Sequence, residues 1–316
     1  MSTGAGTLLT RRRLLWAGGA VGGLAVLGAG AGTAMAEDLL PGGVTLRRAI
    51  GLTGPDGSVP QIAPGPMTDE LVASAARGKS VRLITMTPPG TARPGALPVA
   101  VVLHGRGADA QAMVQLGMPQ FLATAVAAGA PPFALVAVDG GDASYWHRRT
   151  AGDDPQRMLL DELPGWLAAR GFATARAGAK AGATAGSVSG ALGISMGGSG
   201  ALRYARGRGA GFGPVALLSP ALFRDWADAR TVDGFDSEPD WREDEPLLHL
   251  DQPHGAPLAL WCGTEDPFCP AARQLAAQGG VSQAHFPRGE HTDGFWRRVL
   301  PAAMDFLGHA LTVPRQ

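Results

Sequence analysis

Short apolar runs punctuate the chain at residues 99–103, 133–138, 187–194, 215–218 and 258–262, the first reading Val99-Ala100-Val101-Val102-Leu103. Runs of this length without polar alternation suit strands covered on both faces. Segments of helical character lie between them, at residues 110–128, 156–169, 197–206 and 271–277, and an amphipathic helix beginning near Phe295 follows the last. Buried strands alternating with helices predict βαβ units: a mostly parallel central sheet, right-handed connections and helices on both faces. Ahead of the first run, residues 71–76 and 81–87 flank Arg77-Gly78-Lys79-Ser80, which predicts two antiparallel strands joined by a turn. Residues 224–251 crowd tryptophans and charges without any period and predict an irregular excursion over the carboxyl edge of the sheet.

Composition narrows the class. Acidic and basic residues balance at 27 each, and three of the arginines fall in the first fifteen residues, so no basic patch offers itself to nucleic acid. A hydrophobic content of 45% fills a sizeable core. At the N-terminus, Arg11-Arg12-Arg13-Leu14-Leu15 precedes a glycine- and alanine-rich apolar stretch, and Ala34-Met35-Ala36 places small residues where a signal peptidase reads. That stretch is short for crossing about 30 Å of hydrocarbon. The expected organisation is a cleaved twin-arginine-type signal over residues 1–36, a Gly/Pro-punctuated arm over 37–66 and a catalytic domain over 67–316. The mature protein is then exported and starts near Glu37, with contact to the cell envelope open. The two cysteines, Cys262 and Cys269, are candidates for a disulfide or for buried thiols.

In open α/β sheets, ligands bind beyond the carboxyl ends of the strands, so the chemistry is sought there. Gly193-Ile194-Ser195-Met196-Gly197 follows an apolar run and enters a helix-like segment. In a chain with 47 glycines the spacing alone is weak, but the strand–turn–helix context is that of a strained elbow exposing a nucleophilic hydroxyl. The elbow also sets Ser195 at a helix N-terminus, where developing negative charge is favoured. After the 99–103 run come His104-Gly105-Arg106-Gly107; backbone N–H groups of Arg106 and Met196 are the candidates for an oxyanion hole. A serine needs a base. His291, in the polar loop Arg288-Gly289-Glu290-His291-Thr292-Asp293 before the final helix, is placed at the right edge, whereas His104 suits a structural role. The base in turn needs an orienting carboxylate, for which Asp266 is favoured and Glu265 is the alternative. No HExxH occurs and the cysteines lack a zinc-like partner set, so catalysis by metal is not expected and the scheme requires no cofactor.

These residues resemble the esterase D family of α/β-hydrolases, which includes carboxylesterases, S-formylglutathione hydrolases and the antigen 85 mycolyltransferases. The likeness spans residues 79–307 and rests on Leu103-His104-Gly105, the segment from Gly193 to Gly198, Gly263-Thr264-Glu265-Asp266, and His291 with Phe295-Trp296 beyond it. It implies an α/β-hydrolase fold with Ser195, Asp266 and His291 as the triad. Mycolyltransferases use Glu as the acid, whereas Asp266 follows the commoner esterase pattern. The loop from Asp139 to Arg149, after the 133–138 run, is expected to border the cleft, with Trp146, His147 and Arg148 as candidate substrate contacts.

Three functions follow in order: hydrolysis of a small-molecule or lipid carboxylic ester or thioester; transfer of the same acyl group to a sugar or lipid hydroxyl; and binding without catalysis on the same fold.

Overall fold

The computed structural model describes residues 51, 53–149, 151–172, 188–209, 211–250 and 256–312. The leader expected over residues 1–36 and half of the arm, residues 37–50 and 52, lie outside them. The chain divides into units Met1–Gly54 and Pro55–Gln316, and every element below belongs to the second.

Strands β1 (Met67–Ser74), β2 (Lys79–Met86), β3 (Val99–Leu103), β4 (Ala134–Val138), β5 (Gly190–Ile194), β6 (Val215–Leu218), β7 (Leu258–Trp261) and β8 (Gln283–His285) form one eight-stranded sheet in the order β1-β2-β4-β3-β5-β6-β7-β8. The β1–β2 and β2–β4 pairs are antiparallel and every other pair is parallel. This is the α/β-hydrolase fold, with the chain reversing direction across the sheet around β3.

The apolar runs lack alternation because both faces are covered. Val99, Val101 and Leu103 point into one core cluster while Ala100 and Val102 point into the other. Helices α3 (Leu163–Ala169), α4 (Met196–Arg208) and α7 (Cys269–Gln278) cover the first face; α1 (Ala110–Leu116), α2 (Met118–Ala127) and α8 (Asp293–Thr312) cover the second. At about 25 cal/mol per Å² of apolar surface removed from water, these two cores supply most of the drive to fold.

Local chemistry moves several boundaries. The single helix expected over 110–128 is two helices, because Gly117 turns left-handed (φ 106°) and its N–H closes α1 onto the carbonyls of Met113 and Val114. Pro119, in the first turn of α2, has no N–H with which to continue α1. The helix expected over 156–169 includes a π-helical segment, Met158–Glu162, ahead of α3. Glu162 there accepts hydrogen bonds from Ser74 Oγ at 2.5 Å and Ala76 N at 2.8 Å, tying this segment to the β1–β2 turn. Residues 55–66 lie against the domain: Gly57 N donates to Gly294 O at 2.8 Å and Arg298 Nη1 to Pro55 O at 2.9 Å. The excursion after β6 carries short helices α5 (Trp226–Ala229) and α6 (Glu238–Asp244), capped by Asp225 and Ser237. They are too short to leave a readable period. Among the described residues no helix is long and apolar enough to cross a membrane.

Candidate active site

Ser195 joins β5 to α4 with φ 55° and ψ −121°, a left-handed conformation that costs a non-glycine residue energy and turns its side chain outward from the sheet. The turn closes only because its neighbour is small: a Cβ on Gly197 would stand 2.0 Å from Leu103 O. The loop after β3 approaches equally closely, since a Cβ on Gly105 would meet Ser195 Cβ at 3.2 Å. Arg106 and Met196 therefore both adjoin the hydroxyl. Met196 is the first residue of α4, where backbone N–H groups have no partner within the helix.

His291 Nε2 lies 2.8 Å from Ser195 Oγ, and His291 Nδ1 lies 2.9 Å from Asp266 Oδ2. With the carboxylate accepting, Nδ1 carries the proton and Nε2 presents its lone pair to the hydroxyl. Asp266 is buried and its other oxygen accepts from Phe268 N at 2.9 Å, so its position is held from both sides. The imidazole is bracketed edge-on by Phe268, with ring centroids 5.2 Å apart, and by Trp296, at 5.1 Å. Glu265 points elsewhere: its carboxylate accepts from Gly289 N at 2.6 Å. The structure thus brings together Ser195, His291 and Asp266, and places Glu265 as a brace of the histidine loop.

A cavity of about 550 Å³ opens beside Ser195 and His291, walled by Met113, Leu116, Tyr145, Val232, Phe268 and Trp296, with Arg106 exposed at its margin. A wider groove of about 1040 Å³ between β8 and α8 contains none of the three hydrogen-bonded residues, so volume alone does not identify the site.

The loop after β4 differs from expectation. Trp146 and His147 do not face the cavity, and Arg148 is exposed outside its lining. Consecutive left-handed residues, Tyr145 (φ 46°) and Trp146 (φ 59°), reverse the side-chain directions. The Trp146 ring packs under the loop against α4, its indole N–H donating to His104 O at 3.1 Å. His147 is buried with Nε2 2.6 Å from Gly234 O. Tyr145 forms the wall instead, its ring centroid 5.5 Å from that of Phe223 and 5.4 Å from that of Phe235, and burial pushes its phenol up to about 12. Its only advance sign in the sequence was adjacency to Trp146. His104 is wholly buried; its Nε2 accepts from Gly140 N at 2.8 Å, and burial lowers its pKa, both fitting a structural residue. Cys262 and Cys269 are both buried free thiols.

The Esterase family model, described as "Putative esterase", matches residues 74–306. No curated protein matches the chain. Among solved structures, the chain is similar to an S-formylglutathione hydrolase from Agrobacterium tumefaciens (TM-score 0.61, 16% identity, covering 80% of this chain and 98% of that one). It is similar also to MPT51 (FbpC1) of Mycobacterium tuberculosis (TM-score 0.61, 20% identity, 78% and 99%). A third is the fluorophosphonate-binding serine hydrolase F of Staphylococcus aureus (TM-score 0.58, 17% identity, 78% and 99%).

Proposed function

We propose, because the chain belongs to the Esterase family, that it cleaves carboxylic esters or thioesters with Ser195 as nucleophile, His291 as general base and Asp266 as the orienting acid. A carboxylesterase-type hydrolase is what family membership makes of the chain; the residues and their steps are the proposal. The observation that carries it is the continuous chain of contacts Ser195 Oγ–His291 Nε2 (2.8 Å) and His291 Nδ1–Asp266 Oδ2 (2.9 Å) at the wall of a cavity.

The hydroxyl proton passes to Nε2 as Oγ bonds to the substrate carbonyl carbon. The carbonyl oxygen becomes an oxyanion, stabilised by the N–H groups of Arg106 and Met196, of which the second gains from its place at the start of α4. Asp266 stays ionised and stabilises the imidazolium. The C–O or C–S bond then breaks as Nε2 returns its proton to the leaving group, leaving the acyl group on Oγ. Water gives a proton to Nε2, attacks the acyl carbon and releases the acid, and Ser195 regains its proton. The apolar wall of Met113, Leu116 and Val232 suits an aliphatic or aromatic acyl group. No metal or cofactor takes part in this scheme.

Hydrolysis is preferred to acyl transfer because a transferase needs a polar acceptor pocket beside Ser195, and of the candidate substrate contacts Trp146, His147 and Arg148 the first two are buried and the third lies outside the cavity lining. Export through a twin-arginine route is part of the same proposal and rests on Arg11-Arg12 ahead of a weakly hydrophobic stretch. Labelling with a fluorophosphonate and mapping the adduct tests the assignment directly. The adduct is expected on Ser195; an unlabelled protein, or label on another serine, overturns it.

A further inference from the structure

Beneath the excursion, three electron-pair donors converge outside the catalytic site. Asp240 and Asp244 stand one turn apart on α6, and both direct carboxylate oxygens at the imidazole of His147. His147 Nδ1 lies 3.0 Å from Asp244 Oδ2 and 3.8 Å from Asp240 Oδ1. The imidazole is 1% exposed, and Nδ1 makes no hydrogen bond of acceptable geometry to either carboxylate.

The opposite nitrogen decides which ligand fits. Nε2 sits 2.6 Å from Gly234 O, a carbonyl that can only accept, so Nε2 carries the proton. Nδ1 and the two carboxylates then converge as three ligand atoms on one point, a set that a bound cation would complete. An imidazole whose far N–H is fixed by a backbone carbonyl is the usual setting of a metal-bound histidine. Ions bound by nitrogen and oxygen at about 2.0–2.2 Å in tetrahedral geometry have donors roughly 3.3 Å apart. The two N···O separations of 3.0 and 3.8 Å straddle that edge. Arg203 lies on the other side of Asp244, 3.5 Å from Oδ1, and leaves Oδ2 for the ion. Asp240 and Asp244 are only partly buried, which gives water access to the remaining coordination position.

We propose that His147, Asp240 and Asp244 form a structural site for one divalent transition-metal ion of the zinc class. The imidazole ligand selects against calcium and magnesium, which favour all-oxygen sets. The ion pins α6 to the loop after β4, two residues from Tyr145 in the cavity wall, and takes no part in the chemistry at Ser195.

Untagged wild-type protein, stripped with chelator and titrated with Zn²⁺ against a chromophoric competitor, is expected to bind one ion per chain, with Ca²⁺ failing to displace it. Zn²⁺ should raise Tm by about 5 °C at saturation. Asp240→Asn, which keeps the side-chain shape, should weaken Zn²⁺ at least about tenfold while fluorophosphonate labelling persists as a measure of folding. His147→Gln should abolish binding; if that variant does not fold, Asp240→Asn decides alone. The proposal is overturned if the folded wild type binds no Zn²⁺, leaving a protonated histidine between the carboxylates, or if binding survives Asp240→Asn unchanged. Persistence of labelling separates failure of the metal site from failure of the catalytic assignment.

Discussion

Glu265 and Gly289 are joined twice: Gly289 N donates to the Glu265 carboxylate at 2.6 Å, and Glu265 N donates to the Gly289 carbonyl at 2.9 Å. This pair of hydrogen bonds beyond the ends of β7 and β8 fixes the loop that carries His291, while the next residue, Asp266, meets the imidazole itself. Two adjacent carboxylates thus have separable duties. Asp266→Asn should lower kcat by roughly 10⁴-fold with little loss of Tm, since the amide holds the wrong tautomer. Glu265→Gln should keep most of kcat but lose about 1–2 kcal/mol of stability, because a charge-assisted acceptor is replaced by a neutral one. Steady-state ester hydrolysis and denaturant melts of both variants check this; the reverse ranking would move the acid to Glu265.

Ser195→Ala and His291→Ala should each reduce ester hydrolysis by about 10⁴-fold or more, and the double variant should be no worse than either alone. Members of one proton relay act as a unit, so their losses do not add. Single-turnover kinetics with p-nitrophenyl acetate measures it, with circular dichroism confirming the fold.

The cavity wall sets chain length. Val232→Trp should lower kcat/KM for p-nitrophenyl decanoate relative to butyrate by about tenfold or more, since methylenes in a pocket discriminate by factors of this size. Arg148→Ala should leave that ratio unchanged, because Arg148 is exposed outside the lining.

The chain has 2 tyrosines, Tyr145 and Tyr204, and burial pushes both phenols up to about 12. Absorbance at 295 nm should therefore show almost no phenolate in the native protein near pH 10, where the denatured chain is half titrated. The folded state holds protons that the unfolded chain releases, so this contribution to stability is complete below about pH 10 and is lost as pH climbs towards 12. Tyr204 OH has no hydrogen-bond partner among the described residues, so Tyr204→Phe should be neutral or slightly stabilising.

Cys262 and Cys269 should behave as inert thiols. Burial pushes the Cys262 thiol up, and neither sulfur is exposed. Ellman's reagent at pH 8 should find neither in the native protein and both after unfolding. An oxidised pair after unfolding without reductant would show a disulfide instead.

Replacing Arg11 and Arg12 together by lysine should leave unprocessed precursor in the cytoplasm, and N-terminal sequencing of exported protein should begin at Glu37 or a close neighbour. Unchanged export of the double variant would indicate the general secretory route.

Strand ends were the legible part of this molecule. The apolar runs located β3 to β7, and the segments that follow β5, β7 and β8 carry the candidates Ser195, Asp266 and His291, because a parallel sheet delivers all its carboxyl ends to one edge. What escaped was direction within a loop. Trp146 looked like a ligand contact by composition, yet two left-handed residues in succession carried it under the sheet edge and put Tyr145 at the cavity, and no pattern in side-chain polarity announces a reversal of φ. The break at Gly117 was written in Gly117-Met118-Pro119, but continuous apolar spacing on either side masked it. Asp240 and Asp244 were equally silent, since their significance depends on a histidine almost a hundred residues earlier.

Tyr145, Trp146, Ser195 and Ser219 all hold positive φ: Ser195 and Ser219 directly follow β5 and β6, and Tyr145 and Trp146 lie in the loop after β4. Each such residue costs of order 1–3 kcal/mol relative to a relaxed backbone. Selection of this enzyme for heat resistance alone should accordingly accept glycine at Ser195 and Ser219, whose side chains fill little volume, and keep the buried rings of Tyr145 and Trp146, whose loss would leave cavities costing more than the strain. A screen that scores thermal survival together with ester hydrolysis should instead hold the four positions fixed and draw its gains from the far end of the sheet.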